Sequence, residues 1–288
     1  MRRALLFGGS GQIGRSLLAR LQAERWQVWA ASRQAREALP GVTWLPGDLG
    51  APEAMAYLPA AVDAIFSLGP LDGFAQWYAR AGVTAPRVIA FGSTSLQVKQ
   101  DSADGHEREL AARLRQGEAT VFATAGSRDA AATLLRPTLV YGAGRDQTLS
   151  RIAALAARSG VFVLPRGATG LRQPVHVDDL AAAALAVVDA PASHGQAYAL
   201  PGGETLAYRE MVARTLAALR PPARLLELPA PLFGAAVRVA RWSGRLQGLG
   251  DAAVARMRQD LVFDAGPAWR DFGYAPRAFA PSAEMLGQ

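Results

Sequence analysis

At 288 residues and 30.4 kDa, the chain has room for one large α/β domain, or for a large domain carrying a small one. Half its residues are hydrophobic and 19% are charged, an ordinary soluble composition, and the lack of cysteine excludes a disulfide framework, a thiolate nucleophile and a zinc-finger type of site. The net charge of +7 does not point to nucleic acid, because the arginines are spread along the chain without forming a long basic block, and with one lysine (Lys99) and no asparagine the basicity reads as genomic codon bias.

Arg2-Arg3 and the run Ala4-Leu5-Leu6-Phe7 imitate the start of a secretion signal, but the run stops at Gly8, short of an h-region, and no other stretch approaches the length of a membrane span. A cytoplasmic protein is expected. The run reads instead as a strand, followed by Gly8-Gly9-Ser10-Gly11-Gln12-Ile13-Gly14 and a helix over 12–24 whose apolar residues Ile13, Leu17, Leu18 and Leu21 recur at helical spacing. A strand, glycine loop and helix in this order let backbone approach a pyrophosphate and aim the first helical amides at the anion. Gly8, Gly11, Gln12, Ile13 and Gly14 are therefore candidate dinucleotide contacts, with a plain tight turn as the alternative. The glycines fit two spacings, Gly9-Gly11-Gly14 and Gly8-Gly11-Gly14, and later residues favour the second.

The next strand, Val28 to Ala31, ends at Ser32-Arg33, with no acid where NAD binders place a carboxylate on the ribose. NADP is the expected cofactor and NAD the alternative. Arg33, with Arg36, suits a 2′-phosphate by its planar fork of donors, against a bland reading as solvated arginines.

Further strands are predicted over 42–45, 62–67, 87–92 and 131–135, with helices over 52–58, 73–81 and 104–124. This alternation predicts an α/β fold with a doubly wound parallel sheet and a dinucleotide across the carboxyl ends of its strands, so functional residues should follow strands. Gly47-Asp48-Leu49 follows one, where Asp48 either accepts from an adenine amino group or closes a turn, and the backbone of Ser67-Leu68-Gly69-Pro70 should run beside the cofactor. The division expected is a dinucleotide-binding core over 1–140 and a mixed region over 141–288 that completes the sheet and builds a small C-terminal substrate lobe. His106, His176 and His194 lack metal-ligand spacing, so no metal is expected. Residues 232–246 read as a basic amphipathic helix that covers the substrate lobe or a partner subunit, with membrane-surface binding as a weaker reading.

Taken with the glycine loop and Gly47-Asp48-Leu49, several segments resemble the extended or atypical branch of the short-chain dehydrogenase/reductase superfamily, which includes NAD-dependent epimerases and dehydratases. Phe91-Gly92-Ser93-Thr94-Ser95 is similar to that family's strand end with a catalytic Ser or Thr. Leu135 to Gly142, with Pro137 and Tyr141, resembles the segment beside the nicotinamide carboxamide, Arg172 to Ala181 resembles the substrate-lobe motif, and Phe272 to Arg277 resembles the usual tail. The resemblance implies a Rossmann-type core and an oxidoreductase or epimerase/dehydratase, monomeric or homodimeric, acting on a small carbonyl or sugar-like substrate. It also admits a non-catalytic dinucleotide-binding regulator or accessory subunit.

One departure stands out. The family's Tyr-x-x-x-Lys pair, in which the lysine lowers the tyrosine's pKa and holds the nicotinamide ribose, cannot exist here, because Ser95 stands four residues before the single lysine. The candidates that remain are Ser93 and Thr94 as donors to a substrate carbonyl, Lys99 reaching the nicotinamide ribose from a loop, and Tyr141 or His106 moving a proton. Arg172 and His176 are placed for the substrate, Arg172 for an anionic group, and Asp178 or Asp179 should cap the helix that follows.

Overall fold

The computed structural model describes residues 1–51, 57–229, 231–235 and 255–288. Strand β1 (Arg3–Phe7) buries Ala4, Leu5, Leu6 and Phe7 alike, as a parallel strand covered on both faces must. After the glycine loop, α1 (Gln12–Ala23) turns Ile13, Gly14, Leu17, Leu18 and Leu21 inward. The alternation continues through β2 (Gln27–Ser32), β3 (Val42–Pro46), β4 (Ala64–Ser67), α2 (Leu71–Arg80), β5 (Arg87–Phe91), the single turn α3 (Ser95–Val98), α4 (Gly105–Gly126) and β6 (Ala131–Pro137). There follow β7 (Val140–Tyr141), α5 (Leu149–Ser159), β8 (Val161–Pro165), β9 (Leu171–Arg172), β10 (Val175–His176), α6 (Val177–Ala186), β11 (Gln196–Leu200), β12 (Leu206–Ala207), α7 (Tyr208–Ala217), β13 (Arg224–Leu228) and α8 (Gly266–Phe272).

Seven parallel strands form the main sheet in the order β11-β6-β5-β4-β1-β2-β3, a Rossmann-like arrangement. The order reverses at β1, which pairs with β2 on one side and β4 on the other, and that is the position at which doubly wound sheets open a crevice. The strand predicted over 62–67 begins only at Ala64, because the Val62 amide is bonded to the Thr84 carbonyl instead. The strand predicted over 131–135 runs on to Pro137, since β11 pairs Ala199 with Arg136 and Leu200 with Pro137. Of the predicted helix over 52–58, residues 52–56 lie outside the described residues, as does 236–246 of the amphipathic segment.

The chain divides into two units. The first comprises Met1–Thr138, Val177–Leu200 and Asp264–Pro276. On one face of its sheet α1 packs with α6, and on the other α2 packs with α4. On that second face Leu5, Phe7, Ile65, Val88 and Leu134 meet Phe74, Trp77, Tyr78 and Val121, with Phe7 and Trp77 ring centroids 4.5 Å apart. Each such side chain contributes about 1.5–3 kcal/mol by leaving water. At the start of β5 the buried Arg87 guanidinium donates to the carbonyls of Ala131, Val187 and Val188 and to the hydroxyls of Thr133 and Ser193, tying two connections to the sheet. The tail motif closes the same unit: the Tyr198 hydroxyl donates to Asp271 Oδ2 at 2.5 Å, Phe272 packs edge-on to Tyr198, and Tyr274 is buried. Burial and the Asp271 carboxylate both push the Tyr198 phenol well above its ordinary pKa, so it stays protonated.

The second unit comprises Leu139–His176, Pro201–Phe263 and Arg277–Gln288. It holds three strand pairs, β10 with β7, β12 with β9 and β13 with β8, around a core that includes Tyr141, Leu149, Ile152, Met211, Val212 and Phe279. Among the described residues no helix is long and apolar enough to cross a membrane.

Candidate functional site

The glycine loop explains its own composition. Gly8 has φ +77°, and a Cβ there would stand 2.9 Å from the Leu68 carbonyl carbon. A Cβ on Gly14 would stand 2.0 Å from Gly8 O, which no side chain survives. On Gly9 its tight contact would be the flexible Leu6 side chain at 3.0 Å, with Ala30 Cβ at an ordinary 3.7 Å. The backbone thus requires glycine at Gly8 and Gly14 and leaves Gly9 the freer position, in keeping with the Gly8-Gly11-Gly14 spacing. Gly11 donates to Gly8 O at 2.9 Å, and a Cβ on it would meet that oxygen alone within 4 Å, at 3.0 Å. Open space lies before it.

That space faces the start of α1, which has no side-chain cap and no acid in its first turn, so its leading amides are left for an anion. Two buried side-chain oxygens adjoin the loop without a hydrogen-bond partner among the described residues, Gln12 Oε1 and Ser67 Oγ. Ser67 ends β4 opposite Phe7, and Leu68 donates to Phe7 O, so the connection through Leu68 and Gly69 lies against the loop. Orphaned buried polar atoms beside uncapped amides are the residue set that a dinucleotide's phosphates and hydroxyls would complete.

At the end of β2, the Ser32 hydroxyl donates to Gln34 O and accepts from Arg36 Nε at 3.2 Å, while Arg33 is exposed. Asp48 is exposed and accepts from Gly50 N at 2.9 Å, the geometry of a turn aspartate. Leu49 is buried, and a Cβ added to Gly69 would stand 2.7 Å from its side chain.

The residues after β5 divide sharply. Thr94 is buried and its hydroxyl donates to Pro137 O at 3.1 Å, which removes it as a donor to a substrate carbonyl. Ser93 is half-buried and its Oγ accepts from Ser95 N at 3.1 Å, leaving the hydroxyl proton to give. Lys99 ends α3 with Nζ 3.3 Å from Glu107 Oε1, in an ion pair that residue patterns alone did not disclose. His106 is exposed in the first turn of α4, its amide bonded to the Asp104 cap, a placement unsuited to proton transfer at a substrate. Glu118 takes the Arg136 guanidinium in a two-pronged pair, with Nε to Oε1 at 2.8 Å. That pair too was missed, although acids in the buried row Glu107, Ala111, Glu118, Val121, Ala125 signal waiting partners.

In the second unit, Tyr141 and His176 are paired across β7 and β10, with ring centroids 5.1 Å apart, and Tyr141 also meets Phe279 edge-on at 5.0 Å. Tyr141 is fully buried, so the expectation that it moves a proton at a substrate gives way to a packing role. Gly142, at φ +114°, leaves room for His176, whose Nε2 would lie 2.4 Å from a Cβ there. Asp178 lies inside the first turn of α6 and accepts from Ser16 Oγ at 2.6 Å.

The expectation for Arg172 is also corrected. It is 5% exposed, and its guanidinium donates to the carbonyls of Leu171, Gln259 and Arg256 while lying 5.2 Å from the Tyr208 ring centre. Burial lowers its pKa from the ordinary arginine value. Three of its five N–H donors are spent on backbone, which holds the group in the interior and not out toward an anion. Arg172→Met is expected to destabilise the protein by about 1–3 kcal/mol, through the Gln259 carbonyl left without a donor, since Leu171 O keeps the Leu261 amide and Arg256 O keeps the Gln259 amide. Thermal melting checks this, and an unchanged melting temperature would show the Gln259 carbonyl to be satisfied otherwise.

Comparison with known proteins agrees with this geometry. The model of the NAD dependent epimerase/dehydratase family matches residues 4–96 and 90–200. A 2-alkyl-3-oxoalkanoate reductase of Stenotrophomonas maltophilia is 27% identical over 318 residues, covering 96% of this chain and 95% of that protein. Among solved structures, the epimerase Mth375 of Methanothermobacter thermautotrophicus superposes with a TM-score of 0.69 at 15% identity, covering 99% of this chain and 90% of the other. MoeE5, solved in complex with UDP-glucose and NAD, superposes with a TM-score of 0.67 at 18% identity, covering 99% and 96%.

Proposed function

The chain belongs to the NAD dependent epimerase/dehydratase family, an NAD(P)-dependent oxidoreductase or epimerase by that membership, and from this premise we propose that it is an NADPH-dependent reductase of a small carbonyl compound. The observation that carries the reading is the cradle of Gly8, Gly11 and Gly14 with uncapped α1 amides on the same sheet edge as the Ser93 hydroxyl. A reduced nicotinamide, when bound, supplies hydride to the carbonyl carbon. The Ser93 hydroxyl donates a hydrogen bond to the carbonyl oxygen as negative charge builds on it, and solvent water supplies the proton that completes the alcohol. The relative named for a 3-oxoalkanoate supports a keto acid as the first substrate class to try. A non-catalytic, dinucleotide-binding role is the second reading, favoured by the single lysine being held by Glu107 and by the absent tyrosine.

Loss of the reduced-nicotinamide absorbance with 2-alkyl-3-oxo acids and simple ketones tests the proposal. Turnover with NADPH is expected. None with any carbonyl, in protein shown to bind NADPH, would leave the non-catalytic reading. The cofactor choice has its own check. Exposed Arg33, with no acid beside it at the strand end, is expected to meet the 2′-phosphate, so Arg33→Ala weakens NADPH by about 1.5–3 kcal/mol and leaves NADH nearly unchanged. Equal losses for both, or tighter NADH in the parent, would show that Arg33 does not select.

A further inference from the structure

The segment Ser93–Lys99 is one turn of helix with its lead-in, too short to hold its shape alone. Its start is fixed to β6: Gly92 donates to Leu135 O at 2.8 Å, and both Thr94 N and Thr94 Oγ1 donate to Pro137 O, at 3.3 and 3.1 Å. Its far end is fixed elsewhere. Lys99 N donates to Ser95 O at 2.9 Å, and Lys99 Nζ pairs with Glu107 on the first turns of α4 at 3.3 Å, the two side chains being 23% and 10% exposed. The Ser102 hydroxyl donates to the other Glu107 oxygen at 2.8 Å, and Arg108 donates to the carbonyls of Ser102 and Ala103, so the whole connection from Lys99 to α4 is strapped to that helix. Such a nearly buried ion pair cannot lose one partner cheaply, because the remaining charge is left stranded away from water.

We infer that Lys99 and Glu107 are positioning residues that hold the Ser93 turn, and that Lys99 does not act as a ligand of the nicotinamide ribose. The inference rests on the proposed reading of Ser93 only for its effect on turnover. Lys99 sits six positions along from Ser93, just past the Ser95–Val98 turn, and among the described residues its ammonium pairs with Glu107. What the pair supplies to the site is then the fixed direction of the Ser93 hydroxyl.

The test uses the full-length protein with Lys99→Met, Glu107→Gln, Lys99→Arg and the exchanged pair Lys99→Glu with Glu107→Lys. Three quantities are read: the NADPH dissociation constant by calorimetry, kcat and KM for a reduced carbonyl, and amide hydrogen exchange of residues 96–99. Glu107→Gln keeps the shape and the Ser102 contact, so it is the variant least prone to misfold. Lys99→Met and Glu107→Gln are each expected to speed exchange of those amides at least about tenfold and to lower kcat by a similar factor, with NADPH affinity within about twofold of the parent. Lys99→Arg and the exchanged pair should restore slow exchange and kcat. Weakening of NADPH by about tenfold in Lys99→Met but not in Glu107→Gln would make Lys99 a cofactor ligand and overturn the inference. So would unchanged exchange in both. If the parent turns over no carbonyl, the reductase reading fails, while exchange and NADPH affinity still decide the role of the pair.

Discussion

Gly11→Val is expected to abolish binding of a nicotinamide dinucleotide while the protein stays folded. The Gly11 backbone, at φ −74° and ψ −180°, is one that any residue adopts, and a Cβ there meets only Gly8 O, at 3.0 Å. An isopropyl group therefore asks the loop to give by a few tenths of an ångström, far less than at Gly14, and projects into the space before the α1 amides, where a pyrophosphate would sit. Gly14→Ala behaves differently. Its methyl would lie 2.0 Å from Gly8 O and 2.7 Å from Gly9 Cα, forcing α1 away from the loop. Overpacking of this kind costs about 1–3 kcal/mol or more, so melting temperature and binding should fall together. Calorimetry with NADPH beside thermal melts of both variants separates occlusion from distortion. Unchanged NADPH affinity in folded Gly11→Val would move the dinucleotide site away from this loop.

The features legible in the sequence were those that depend on near neighbours. A buried parallel strand reads as an unbroken apolar run, a glycine loop needs its glycines at fixed intervals, and a helix declares its inner face, so β1, the loop and α1 follow from residues 3–23 alone. Even the ambiguity over Gly8 and Gly9 was real at that level, because what separates them is the left-handed backbone of Gly8 and the approach of Leu68 after β4. Side chains whose partners come from far along the chain were misjudged. Arg172 in its motif looked free for an anion, yet two of its three acceptors, on Arg256 and Gln259, lie more than eighty residues away. Tyr141 is walled in by His176 and Phe279. Asp271 likewise gives the tail a structural task, holding Tyr198, that its resemblance to a family ending does not state. Glu107 was legible only as a helical acid, because the ion pair depends on how the chain from Lys99 to Asp104 folds back.

The same distinction decides what remains for catalysis. Ser93 and Thr94 were equivalent in the sequence and are not equivalent in the structure, so single substitutions should part them. Thr94→Val removes a donor from Pro137 O, which keeps the Thr94 amide, and the expected result is a loss of about 1 kcal/mol of stability with turnover changed less than about threefold. Ser93→Ala removes the hydroxyl that accepts from Ser95 N and still has its proton to give. Losing a positioned proton donor or acceptor costs on the order of a hundredfold to ten-thousandfold in rate, and losing a hydrogen bond to the carbonyl oxygen alone costs less, so at least about a tenfold fall in NADPH-driven reduction is expected with cofactor affinity unchanged. The double variant should then match Ser93→Ala, since Thr94 adds nothing at the carbonyl. A larger loss from Thr94→Val than from Ser93→Ala would reverse these roles. Turnover untouched by Ser93→Ala would keep the enzyme and place the donor to its carbonyl oxygen outside the β5 strand end.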